Sequence, residues 1–341
     1  MNKNKVIVKK DARALRSHIN NLFGDLLTRH DITEIVINKI GQIRYETKSG
    51  WQIGTKEENE RITKDNLNFF VNASATYSNN ILNENHPIMS ADLPDGERLQ
   101  VVIPPACDKS QYSITIRKPS QFTITLDDFS NQGFFDDIVL GEHVDPVDSE
   151  LQKLLSEKQY REFLSLAVAC GTKNIVIAGA TGSGKTTFMK SLIYSIPADQ
   201  RIITIEDVRE ITSTIHDNMV NLMYSSEDLS VINPSVLLKS CLRMKPDRIL
   251  LAELRSGEAF DYINVISSGH GGSLTSLHAG SYEQVITRLT MMSLQNPTGS
   301  KIPYDTTKEI IRDTVDIVLH IGNINGKRRI TTIFWKDYKN A

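Results

Sequence analysis

The sequence predicts an α/β chain in two parts: a small α+β domain, then a domain built on a mainly parallel sheet that carries a phosphate-binding loop. Three observations point there. Gly179-Ala180-Thr181-Gly182-Ser183-Gly184-Lys185-Thr186 fits a glycine-rich phosphate loop at every fixed position, between the apolar run Ile175-Val176-Ile177-Ala178 and a helical stretch opening at Phe188. From Tyr160 onward helical and extended patterns alternate, as parallel strands joined by crossover helices do. Before residue 120 the patterns are instead short strands set off by glycine turns, with helical stretches between them. A chain of 341 residues holds two cores of the usual ~100–200 residues each. The expected division is 1–127 for the N-terminal domain, 128–150 for a linker and 151–341 for the nucleotide-binding domain.

Taken in order, Asp11 to Thr28 carries Leu15, Ile19, Leu22, Leu26 and Leu27 at helical spacing and reads as an amphipathic helix. Glu34-Ile35-Val36-Ile37-Asn38, Gln42-Ile43-Arg44-Tyr45-Glu46 and Trp51-Gln52-Ile53 read as strands. A second helix is expected from Thr63 to about Tyr77, and further strands over Glu97 to Ile103 and Tyr112 to Arg117. Between Leu126 and Glu150 the chain turns acidic and loses periodicity, which marks the linker. Beyond it come a helix over Glu162 to Ala169, strands near Asn174, Ile202 and Ile249, and helices after Lys185, Pro234 and Ser256. Asp316 to His320 and Arg329 to Trp335 flank Asn325-Gly326, a hairpin turn signal.

Composition narrows the partners. Lys plus Arg total 39 against 41 Asp plus Glu, a net charge of −2, so there is no general attraction to nucleic acid or anionic lipid, and no direct sequence-specific nucleic-acid binding is expected. Cys107, Cys170 and Cys241 fit no zinc spacing and read as reduced thiols of a cytosolic protein. No run approaches the ~18–20 apolar residues that cross a bilayer, so any membrane contact is expected to be peripheral.

The loop predicts nucleoside triphosphate binding: backbone amides of Gly179 to Thr187 face phosphate oxygens, Lys185 neutralises the outer phosphates, and the Thr186 hydroxyl joins the shell of a Mg²⁺ ion. Hydrolysis also requires an acid at the end of a neighbouring strand. Glu253 follows the apolar run Ile249-Leu250-Leu251-Ala252, and Glu206 and Asp207 end the run Arg201 to Ile205. Glu206 is the choice for metal and water positioning, with Asp207 open beside it. The segment Ser268-Gly269-His270-Gly271-Gly272-Ser273-Leu274-Thr275-Ser276-Leu277-His278-Ala279 is rich in small residues that allow close backbone approach, and His278 is expected to sense the terminal phosphate. The part played by His270, Glu210 and Arg255 stays open.

In sequence order these four elements, with Ile205-Glu206-Asp207-Val208-Arg209-Glu210 and Arg248 to Arg255 in the middle, resemble the Walker A, Asp box, Walker B and His box of the type II/type IV secretion ATPase superfamily. Thr33 to Asn38 and Gly96-Glu97-Arg98 through Pro104-Pro105 resemble the N-terminal domain of its hexameric type IV traffic ATPases. That resemblance implies a RecA-like ATPase domain using ATP and Mg²⁺. It also implies a homo-hexamer at the cytoplasmic face of the inner membrane, meeting inner-membrane components of the secretion machine. Its work would be substrate translocation or pilus biogenesis. Arg98 and Arg117 are placed like N-terminal-domain arginines that reach the nucleotide phosphates in that family. A pilus-retraction motor and a DNA translocase are the rival readings. The four-cysteine zinc motif of type II and pilus-extension relatives is absent.

Overall fold

The computed structural model describes residues 11–119, 125–140, 145–225 and 232–339. The chain divides into two units, Met1–Thr123 and Ile124–Ala341.

In the first unit, helix α1 (Arg13–Phe23) is followed by strands β1 (Glu34–Lys39), β2 (Gln42–Thr47) and β3 (Gly50–Ile53), helices α2 (Lys56–Glu60) and α3 (Lys64–Ser78), and strands β4 (Ile88–Asp92), β5 (Arg98–Val102) and β6 (Gln111–Arg117). The strands form an antiparallel sheet in the order β3-β2-β1-β6-β5-β4. Helix α1 stops before the expected Thr28 because Gly24 takes a φ of 57° there, and Leu26 and Leu27 are buried beyond the helix end. Leu15, Leu22 and Phe23 share one core with Leu67, Phe70, Ile35 and Ile114, and the Phe23 and Phe70 rings meet edge to face at 5.1 Å. Strand β4, which the sequence did not reveal, is an edge strand with a single fully buried side chain, Met89, so its hydrophobic pattern is faint.

The second unit runs α4 (Leu126–Asn131), α5 (Asp148–Ser156), α6 (Tyr160–Ala169), β7 (Ile175–Gly179), α7 (Lys185–Ile193), β8 (Ile202–Glu206), β9 (Met219–Met223), α8 (Pro234–Cys241), β10 (Arg248–Leu251), α9 (Glu258–Ser267), β11 (Leu274–Leu277), α10 (Tyr282–Ser293), α11 (Tyr304–Thr314), β12 (Ile317–Ile324) and β13 (Lys327–Trp335). Helix α4 falls within the stretch expected as linker, of which residues 141–144 lie outside the described residues. The sheet order is β13-β12-β7-β11-β10-β8-β9, parallel throughout except for β13, which returns antiparallel along β12. Asn325 and Gly326, with φ of 52° and 78°, make that hairpin turn. Every residue of β7, β8, β10 and β11 is buried, as expected for parallel strands covered on both faces.

Register then decides where the chemistry collects. Leu277 lies beside Ala178, and Leu251 beside Ile205. Glu206, which ends β8, and the residues that follow the other strands, the phosphate loop, Glu253 and His278, therefore emerge together at the carboxyl edge of the sheet, the ligand-bearing edge of open parallel sheets.

Candidate active site

The phosphate loop is shaped by its glycines. A side chain at Gly179 would meet the Ile321 carbonyl oxygen at 2.5 Å, so the loop can pass β12 only without one. Gly182 and Gly184 take φ of 71° and 96°, a region that side chains disfavour, and Gly184 caps the start of α7. The amide end of α7 therefore faces the cleft uncovered, a favourable place for anions. The hydroxyl of Ser183, a residue 6 % exposed, is buried without a partner inside this cradle.

Lys185 folds across the loop, its ammonium 3.1 Å from both the Gly179 and Ala180 carbonyls and 3.3 Å from His278 Nδ1. Burial pulls this ammonium below its ordinary pKa, and the charge of Glu253 opposes the shift. His278 Nε2 lies 2.8 Å from Glu253 Oε1, while the other carboxylate oxygen accepts from Arg255 at 2.8 Å. Arg255 spans onward to Asp207 at 2.7 Å. Burial pushes the Asp207 carboxyl up, but the hydrogen bond and charge of Arg255 outweigh it and hold the group below the usual carboxylate range. This contact thus stabilises above the ordinary aspartate pKa and fades as pH falls through the lowered value. The result is a continuous chain of side chains from Lys185 through His278, Glu253 and Arg255 to Asp207. The turn carrying Glu253 is braced on two sides, because the Ala252 amide bonds to the Ile205 carbonyl and the Ala252 carbonyl accepts from Ser276 Oγ at 2.7 Å.

Glu206 sits differently from its neighbours. It is fully buried, and its Oε2 accepts from the amides of Glu210 at 2.8 Å and Ile211 at 2.7 Å, while Oε1 accepts from Thr204 Oγ1 at 2.8 Å. Burial pushes its carboxyl up, and the Ile211 and Glu210 amides work against that. The geometry makes it a clamp on the turn after β8. Glu206→Ala is accordingly expected to cost about 2–3 kcal/mol, since two buried amides lose their acceptor, and to lower the thermal midpoint by several degrees. Glu206→Gln, which keeps one oxygen for both amides, should cost much less. An alanine variant that melts with the parent would remove the clamp.

The structure brings Lys185, Thr186, Glu206, Asp207, Glu253 and His278, with Glu210 and Arg255, around one cleft of about 230 Å³. Thr187, at the third position of α7, is exposed. His270 is not among them: it precedes β11, at the opposite end of the strand from His278, and its backbone carbonyl accepts from Ser273 Oγ. Arg98 and Arg117 lie in the first unit, where they are cross-strand partners on β5 and β6, both exposed. Sequence reasoning missed the bridging of Glu253 and Asp207 by Arg255, the Ser276 brace and the hold of Thr204 on Glu206. Only the bridge had a local sign, an arginine two residues beyond the acid.

A glycine loop between a buried parallel strand and a helix, with lysine, hydroxyl and carboxylate set at neighbouring strand ends, defines a phosphate-loop nucleoside triphosphatase. The chain belongs to the type II/IV secretion system protein family, whose model matches residues 59–321. It is an ATPase of type IV secretion. It is 44 % identical over 313 residues to the type IV secretion system protein VirB11 of Brucella suis, covering 90 % of this chain and 86 % of that one. With the PtlH homolog of Bordetella bronchiseptica it shares 38 % identity over 317 residues, 91 % and 92 % of the two chains. Among solved structures, it is similar to the VirB11 ATPase of the Brucella suis system in complex with sulphate, at a TM-score of 0.88 and 42 % identity over 95 % of each chain.

Proposed function

We propose that the cleft binds ATP with Mg²⁺ and that its hydrolysis drives the first unit of the chain against the second within a ring of six copies, powering substrate translocation or pilus biogenesis. The observation that carries this reading is the placement of Glu253: it stands across the cleft from the phosphate loop, joined to Lys185 through His278 alone. A carboxylate in that position orients a water and accepts its proton, while Lys185 and the α7 amides stabilise charge on the phosphates. The donor set fits a nucleotide polyphosphate, since the loop offers backbone amides, a lysine and the unpartnered Ser183 hydroxyl. It fits Mg²⁺ as well, a hard cation that keeps several waters: Thr186 would hold it, with Glu253 and Asp207 facing its water shell, and when bound it would neutralise phosphate charge. Glu206 acts one step back, as a positioning residue for the turn that carries Asp207.

Arg98 and Arg117 fit phosphate contacts as two exposed guanidiniums side by side on β5 and β6, where Arg117 also lies 3.7 Å from the Glu34 carboxylate. Residues 128–150 would connect the two moving parts. No helix among the described residues is long and apolar enough to cross a membrane. We place the ring at the cytoplasmic face of the inner membrane, docked on membrane components of the secretion machine. The pilus-retraction and DNA-translocase readings gain nothing from the chemistry of this cleft, which they share. Turnover and particle mass of the intact protein test the proposal together with an Arg98→Ala, Arg117→Ala double variant. The expected result is Mg²⁺-dependent hydrolysis from a particle of about six subunits, with the variant keeping its mass and raising KM about tenfold. A monomer without turnover would sink the motor, and an unchanged KM would release the two arginines from the site.

A further inference from the structure

The β12–β13 hairpin supplies something neither the motifs nor the family reading assigns. Its tip carries Lys327-Arg328-Arg329 directly after the Asn325-Gly326 turn. Alternation along β13 puts Arg328 on the face shared by Ile330, which packs against the core of the second unit, and turns Lys327 and Arg329 the other way. Arg328 consequently lies over the phosphate loop. Its Cδ, Nη1 and Nε are 3.3, 3.7 and 3.8 Å from the point where a side chain on Gly184 would begin. Gly184 is the cap of α7, so the guanidinium stands beside the amide end of that helix, next to the loop that holds the unpartnered Ser183 hydroxyl. The turn-side half of β12, His320 to Asn323, also walls a cavity of about 400 Å³ with the loop. Among the described residues, no ion pair or side-chain hydrogen bond engages Arg328.

We infer that Arg328 is a nucleotide-binding residue that contacts the phosphate chain from the hairpin side. Arg328 is exposed, and no carboxylate among the described residues engages it, so its charge is available to an anion drawn to the helix amides beside it. A polyphosphate seated in the loop is such an anion, and a guanidinium offers it two parallel donors. Because Arg328 neighbours Gly184 at the start of α7, its contact falls on the part of the chain common to the di- and triphosphate. This rests on the ATPase reading of the loop, and the experiment separates the two.

The full-length protein and its Arg328→Ala, Arg328→Gln, Lys327→Ala and Lys185→Ala variants are titrated with a fluorescent ADP analogue, which ATP and inorganic pyrophosphate then displace. Both Arg328 variants should weaken ADP, ATP and pyrophosphate by about tenfold each, with a shallower dependence on salt and an unchanged melting temperature without nucleotide. Lys327→Ala should stay within about twofold of the parent, since its side chain faces away. Unchanged affinity in Arg328→Ala alongside lost binding in Lys185→Ala overturns the role of Arg328 and leaves the loop intact. Weakened ATP with unchanged pyrophosphate also overturns it, because the contact would then be to the nucleoside. Undiminished binding in Lys185→Ala overturns the reading of the loop itself.

Discussion

Lys185→Ala is expected to lower ATP hydrolysis by at least about a hundredfold and to remove most nucleotide affinity, while leaving the nucleotide-free protein as stable as its parent or slightly more so. The two halves have separate causes. Among the described residues, Lys185 is the one lysine lining the cleft, and its ammonium reaches two carbonyls and an imidazole nitrogen. Phosphate oxygens would replace those weak partners with full negative charge, so the gain on binding is large and is lost with the side chain. Stability runs the other way. Burial has drawn the Lys185 pKa below its ordinary value, so the folded protein disfavours the charged form that lysine carries near neutrality. For a base with a depressed folded pKa, stability falls as pH drops from the unfolded value through the folded one, and deletion removes that penalty. Differential scanning calorimetry with and without ADP reads both at once. The parent should gain melting temperature with ligand, and the variant should start at or above the parent and gain almost nothing. A variant that still shifts with ADP as the parent does would sink the reading of the loop as the phosphate site.

How much of this was legible beforehand follows from the kind of signal each part leaves. The phosphate loop announces itself because glycines with positive φ, a capping glycine and a lysine must fall at fixed spacing, and the buried strands around it are near-continuous apolar runs. Glu253 was legible from the run that precedes it, since a strand end in a parallel sheet is a place as well as a pattern. Legibility failed where the deciding contact was far away in sequence. Glu206 and Asp207 look alike on paper, yet one is clamped by Thr204 and two loop amides and the other is held by Arg255, 48 residues on. His270 and His278 share one motif, but a strand runs between them, so only the second reaches the phosphate loop. Arg328 was invisible for the same reason: its neighbour Gly184 precedes α7, while Arg328 lies on β13, the last strand, and the sequence shows only three adjacent cations after a turn.

Glu253→Gln separates binding from chemistry, and here the expected loss is in turnover alone: about 10²- to 10³-fold in kcat, with nucleotide affinity within about threefold of the parent. The carboxylate accepts on both sides, from His278 Nε2 at 2.8 Å and from Arg255 at 2.8 Å. A carboxamide of the same size has one acceptor and one donor end, so it can answer only one of them. If its oxygen stays with Arg255, its amino group meets His278 Nε2. That nitrogen must then give up its proton, and Nδ1 carries one toward the Gly179 carbonyl, 3.1 Å away. Lys185, whose ammonium sits 3.3 Å from Nδ1, loses an acceptor by this exchange and keeps two carbonyls. If the oxygen turns to His278 instead, the amino group faces the Arg255 guanidinium, and the bridge to Asp207 is strained. Either way the fold survives, because the turn is braced by Ser276 and Ile205, which the substitution does not touch. What disappears is the base able to take a proton from water. Single-turnover hydrolysis measured beside fluorescent-nucleotide titration tells the cases apart. Lost turnover with retained affinity places Glu253 at the chemical step, and turnover within about tenfold of the parent would transfer that role to Asp207, the other partly exposed carboxylate on the Arg255 bridge.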